Sequence, residues 1–183
     1  MLLRHRAPSI DARPATPGPS FRHIDPGHVA VLRWLLENRV DFVLVGPVAR
    51  AIRGDTAARG PVSLVPAPYG RNLDRLSRAL WSAHARLRVD AGEAGIGAET
   101  VPVKMTAEKL VRPQRWTLRC GVHDLDIEGR PPGVPRFQEL LYEASRFDLA
   151  PDVAIEVASP EDIEHYEHVR RTGRSPEIKI TRT

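Results

Sequence analysis

This 183-residue chain has one cysteine, Cys120, and three lysines, Lys104, Lys109 and Lys179. A single thiol cannot build an internal disulfide framework and gives no metal-ligand spacing, so a reducing cytoplasm is the expected setting. Long apolar runs are missing too. The opening Met1-Leu2-Leu3-Arg4-His5-Arg6 reads as neither a secretory signal nor an anchor, and no later segment is long enough to span a bilayer. Aromatics are only 5% of the residues, and Trp34, Trp81 and Trp116 are too scattered for a base-stacking platform. Trp34 and Trp81 are expected to be packing residues on helices. Neither Gly-x-Ser-x-Gly nor Gly-x-x-x-x-Gly-Lys occurs, and Cys120 has only the sequence-near His123 as a partner. Nucleophile-elbow and P-loop chemistry are thereby excluded.

What the chain does have is arginine. Lys and Arg together number 27 against 23 Asp and Glu, for a net charge of +4 and a pI near 9.7. That balance permits an anionic partner without requiring one. The guanidinium fork suits phosphate, although so broad an arginine bias also follows from genome base composition. A hydrophobic content of 42% over this length fits one domain with its own core.

Residues 1–24 hold four prolines among small and basic residues and are read as a flexible tail, since they offer little apolar surface to offset ordering entropy. The folded domain is expected over 25–172, with a polar tail at 173–183. Asp25 caps a first helix opened by Pro26, with Val29, Leu32, Leu35 and Leu36 on one face and an end near Asn38. Phe42–Val45 and Val62–Val65 read as buried strands separated by a short helix that Gly54 closes. Leu73, Leu76, Leu80 and Ala83 form an amphipathic stripe on the next helix. Gly92–Gly97 reads as a loop. A short helix around Ala107–Leu110 precedes two strands, Trp116–Arg119 and Asp124–Glu128, that meet at Gly121. A helix around Phe137, a strand over Val153–Val157 and a last helix capped by Ser159 complete the pattern.

This order, with Val45-Gly46-Pro47-Val48-Ala49, Asn72-Leu73-Asp74-Arg75-Leu76, Asp124-Leu125-Asp126-Ile127 and Ser159-Pro160-Glu161-Asp162-Ile163 as its pieces, resembles the minimal nucleotidyltransferases of the polymerase-beta-like superfamily, particularly the bacterial branch with abortive-infection toxins. The resemblance spans about 29–174. It implies an α/β fold, a small mixed β-sheet with flanking helices.

The resemblance also implies a site. In an active member, a glycine-rich turn after the first strand brings backbone N–H groups to the triphosphate, and Gly46, Pro47, Arg50 and Ser63 fall where a nucleotide would be met. The turn here is Gly46-Pro47, and proline adds no donor. The family's Asp-x-Asp metal pair falls on Pro61 and Ser63, neither of which replaces a carboxylate. Asp55 lies upstream in a loop. The third family carboxylate falls on Asp126, with Asp124 on the same strand face. These two are the candidate residual catalytic acids, or else ion-pair partners for nearby arginines. Glu167 stands near the place of a lysine on the last helix. His165 and His168 lack a third ligand at suitable spacing, so no metal site is expected.

The resulting expectation is a degenerate nucleotidyltransferase-fold protein, catalytically inactive, that binds a protein partner in toxin–antitoxin fashion or an anionic ligand, nucleotide or RNA. No cofactor is expected. The alternative is an active transferase that moves a nucleoside monophosphate to a hydroxyl and needs Mg²⁺.

Overall fold

The computed structural model describes residues 8–10, 15–89 and 99–172. The two apolar runs pair first. β1 (Phe42–Val45) and β2 (Val62–Pro66) are antiparallel neighbours in register Leu44↔Leu64, every residue of both being buried. They sit inside one eight-stranded mixed sheet of order β4-β3-β5-β6-β2-β1-β8-β7. The other strands are β3 (Arg86–Val89), β4 (Glu99–Pro102), β5 (Trp116–Cys120), β6 (His123–Ile127), β7 (Ser145–Ala150) and β8 (Val153–Val157). β5 and β6 form a hairpin closed by Gly121 and Val122, with Gly121 at φ +61 as a tight turn demands.

Among the described residues six helices flank the sheet: α1 (Pro26–Glu37), α2 (Gly46–Ile52), α3 (Gly70–Ser82), α4 (Ala107–Leu110), α5 (Phe137–Glu143) and α6 (Pro160–Thr172). The expected caps form. Asp25 accepts from the Gly27 N–H at 2.6 Å, and the Ser159 hydroxyl accepts from the Asp162 N–H at 3.1 Å. α1 buries Val29, Leu32, Trp34 and Leu35 and packs across β2, β6 and β8. α3 buries Leu73, Leu76 and Leu80 as its stripe requires. None of these helices is long and apolar enough to cross a membrane. The architecture is therefore mixed α/β, with a sheet wider than expected.

Three strands, β3, β4 and β7, have no counterpart in the sequence reading. They lie at or next to the sheet's two ends, and β3 and β7 carry charges at alternate or exposed positions instead of an apolar run. Two further corrections follow from burial. Residues 15–24 are packed rather than a free tail: the Gly18 N–H donates to the Leu149 carbonyl at 2.7 Å, a 3-10 turn forms at Pro19–Phe21, and Phe21 meets Phe147 edge-on at 6.3 Å. Each apolar residue there is anchored singly, which leaves no periodicity to read. Trp81 is 67% exposed, because it follows Leu80 and points off the stripe, whereas Trp34 is buried as expected. The loop assigned to Gly92–Gly97 and the tail at 173–183 lie outside the described residues.

Asn72 ties α3 to the strands. Fully buried, its side-chain oxygen accepts from the Asp41 N–H at 2.7 Å while its amide donates to the Asp41 and Ala67 carbonyls at 2.8 and 2.9 Å. Asn72→Ala is expected to lower stability by about 1–3 kcal/mol, since it strands these backbone groups. Urea unfolding monitored by circular dichroism measures the loss.

Candidate functional site

Strand register sorts the side chains of the sheet onto two faces, because alternate residues point to opposite sides. Leu87, Leu118, Leu125, Ile127, Val62 and Leu64 share the apolar face. The opposite face over β3, β5 and β6 is charged. There Arg86 faces Arg119, Arg119 faces Asp124, Thr117 faces Asp126, and Asp126 faces Ser63 across the parallel β2–β6 pair. A carboxylate thus lies at the middle of a sheet.

Asp126 is fully buried, and three guanidinium groups from three separate elements hold its oxygens. Arg88 of β3 donates to Oδ1 at 2.5 Å. Arg115, just ahead of β5, and Arg170 of α6 both donate to Oδ2, the latter at 3.4 Å. Asp124, half-buried beside it, takes Arg119 at 2.8 Å and Arg88 at 3.3 Å. Glu128 continues the row, 3.1 Å from Arg115 and 3.7 Å from Arg170. Burial raises the Glu128 carboxyl to about 7, outweighing the lowering by Arg115, and the neighbouring Asp126 charge adds to the rise. Burial above all, with the Asp124 charge, pushes the Cys120 thiol up to about 12, so it is a protonated core side chain and no nucleophile.

Gly46 and Ser63 border this row. Gly46 has φ +72, and a Cβ there would lie 2.8 Å from the Ser63 Cβ and hydroxyl. Glycine is therefore required by the close approach of the β1–α2 turn to β2 as well as by its dihedral angle. Ser63 is fully buried, and among the described residues its hydroxyl has no hydrogen-bond partner. Pro47 packs beside Gly60. Arg50 points elsewhere: it binds Glu167 at 2.7 Å and Asp55 at 3.2 Å.

Of the residues singled out from sequence, Gly46, Ser63, Asp126 and Asp124 thus come together, whereas Pro47 and Arg50 do not join them. Asp55 is held by Arg50 and caps the Ala57 N–H at 3.1 Å, so it does not reach Asp126. Sequence reading missed Arg88, Arg115, Arg170 and Glu128. A partial signal was available in the alternation Asp124-x-Asp126-x-Glu128 opposite Arg115-x-Thr117-x-Arg119. Arg170, more than forty residues from Asp126 in the chain, had none.

A pair of divalent cations does not suit these donors. The Asp126 oxygens are engaged by guanidinium groups, its neighbour in register is the neutral Ser63, and every cation added would meet several fixed positive charges. Among the described residues no three His, Cys, Asp or Glu side chains are placed to share one ion, His165 and His168 included. No protein-family model matches the chain, and no curated protein matches it significantly.

The raised Glu128 carboxyl makes stability depend on pH. Its folded-state value near 7 lies above the ordinary 4.5, so its stabilising contribution is complete below about pH 4.5 and is lost as pH rises towards 7. Glu128→Gln is expected to flatten the decline of the urea midpoint between pH 5 and 8. Parallel curves for the two proteins would show instead that Glu128 is ionised throughout.

Proposed function

We propose that this chain is a nucleotidyltransferase-like scaffold that binds an anionic ligand of the nucleotide class and does not transfer it. The observation that carries this reading is the arginine clamp on Asp126, next to a serine where the family has a metal-binding carboxylate. Four arginines, Arg88, Arg115, Arg119 and Arg170, meet three carboxylates on or beside this face, which leaves positive charge in excess. A guanidinium group stays charged at every physiological pH and grips phosphate oxygens through paired N–H groups. The charge that divalent cations bring to a triphosphate is here supplied by side chains. Phosphate is the chemistry that best matches them, and an acidic partner protein, as in a toxin–antitoxin pair, would meet the same face.

One observation favours the active alternative: Asp124 and Asp126 share a strand face. Incubation with each labelled nucleoside triphosphate and Mg²⁺ or Mn²⁺ separates the two. The expected result is no transfer to protein, RNA or small-molecule hydroxyls, with triphosphate retained equally in EDTA. Arg88→Ala is expected to weaken that retention about tenfold, the equivalent of one charge-assisted contact of ~1.5 kcal/mol. A cation-dependent product that disappears in Asp126→Asn would overturn the binding-only reading.

A further inference from the structure

The end of α3 and the outer edge of the charged face enclose a second feature, which touches the charged row at Arg119 but contains none of the groups that hold Asp126. An open cavity of ≈750 Å³ lies between them, residues 8–10 and Trp34 of α1, with Trp81, Ser82, His84, Arg86 and Arg119 in its lining. A smaller one of ≈200 Å³ adjoins it and shares Trp81, His84 and Arg86, adding Pro102 and Met105. Trp81 belongs to both, and its indole is 67% exposed. So large an exposed aromatic forfeits the stabilisation its burial would bring. Its place is fixed by the local backbone: His84 adopts a left-handed conformation (φ 51), and its N–H bonds to the Trp81 carbonyl at 3.1 Å, closing the helix.

The charges around the indole are cationic. Lys104 Nζ lies 5.7 Å from the ring centroid. Arg86 is held in place by neutral groups, donating to the Thr100 hydroxyl at 2.9 Å and its carbonyl at 3.1 Å. Among the described residues neither Lys104 nor Arg86 makes an ion pair, in contrast to Arg88, Arg115 and Arg119. Both cations thus keep their full charge for a ligand. His84 adds a ring at the same rim.

We propose that this groove binds single-stranded nucleic acid, with Trp81 stacking on a base and Arg86 and Lys104 on flanking phosphates. An exposed indole beside two cations free of ion pairs, one of them held in place, is what a flexible polyanion with planar bases requires, because stacking and phosphate contacts are then made by adjacent nucleotides. An acidic peptide would use the cations but would leave the indole idle. The inference does not depend on nucleotide binding at the arginine clamp, and each can fail alone.

Fluorescence anisotropy of a labelled twelve-nucleotide oligouridylate, at 50 and 200 mM salt, tests it. Trp81→Ala is expected to weaken binding about tenfold, and Trp81→Phe to recover most of the loss, as stacking predicts. Lys104→Gln is expected to reduce the salt slope by about 0.7, as the loss of one single-strand phosphate contact does. Trp81 and Lys104 are exposed, so the folding of these variants is checked simply by their circular dichroism. Failure to bind at 50 mM salt, affinity unchanged in Trp81→Ala, or competition by polyglutamate equal to that by unlabelled oligouridylate would each overturn the proposal, the last by showing a charge-only surface.

Discussion

A carboxylate buried in the middle of a sheet is the constraint around which the rest of this molecule is arranged. Asp126 has no access to water, so its charge must be met by protein. Arg88, Arg115 and Arg170 meet it, and they come from β3, from the approach to β5 and from α6. Satisfying one side chain therefore joins the outer strands to the centre of the sheet and draws the last helix over the charged face. Such clusters are expensive to desolvate and add little net stability compared with apolar packing, yet removing one member leaves uncompensated charge. Their value lies in holding several elements in a single arrangement.

The same clamp bears on chemistry. A strand carboxylate in a phosphate-transferring site is useful because its lone pairs are free for a cation. Here guanidinium groups occupy those lone pairs, and the hydroxyl of Ser63, the neighbour in register, has no hydrogen-bond partner among the described residues. Positive charge remains on this face in a permanent form that neither dissociates nor depends on metal supply. The proposed retention without transfer rests on this arrangement, because displacement at phosphorus needs coordinated activation of both attacking and leaving oxygens. The Glu128 carboxyl, raised by burial to about 7, changes charge near neutrality, so the balance of acids and arginines varies with pH.

Charge and aromatic surface are distributed unevenly along the sheet. Towards its middle the arginines are paired with carboxylates, while at the β3–β4 end Arg86 and Lys104 make no ion pair among the described residues, and the exposed Trp81 stands beside them. The proposed nucleic-acid groove lies at that end. The two regions share Arg119, which borders the groove while it holds Asp124.

The amino-acid sequence determined the elements whose signals are local. Apolar runs marked β1 and β2, the leucine stripe marked α3, and Asp25 and Ser159 marked the caps of α1 and α6, because propensity, periodicity and capping act within a few residues. It also showed that Asp124 and Asp126 share a face. It did not reveal β3, β4 and β7, whose pairing is set by neighbours in the sheet, nor the docking of residues 15–24, nor the exposure of Trp81. Above all, only the tertiary structure decided that Asp126 is buried and that Arg88, Arg115 and Arg170 surround it. Electrostatic partnership acts through space, and residues scattered along the chain meet only once the sheet and α6 are in place.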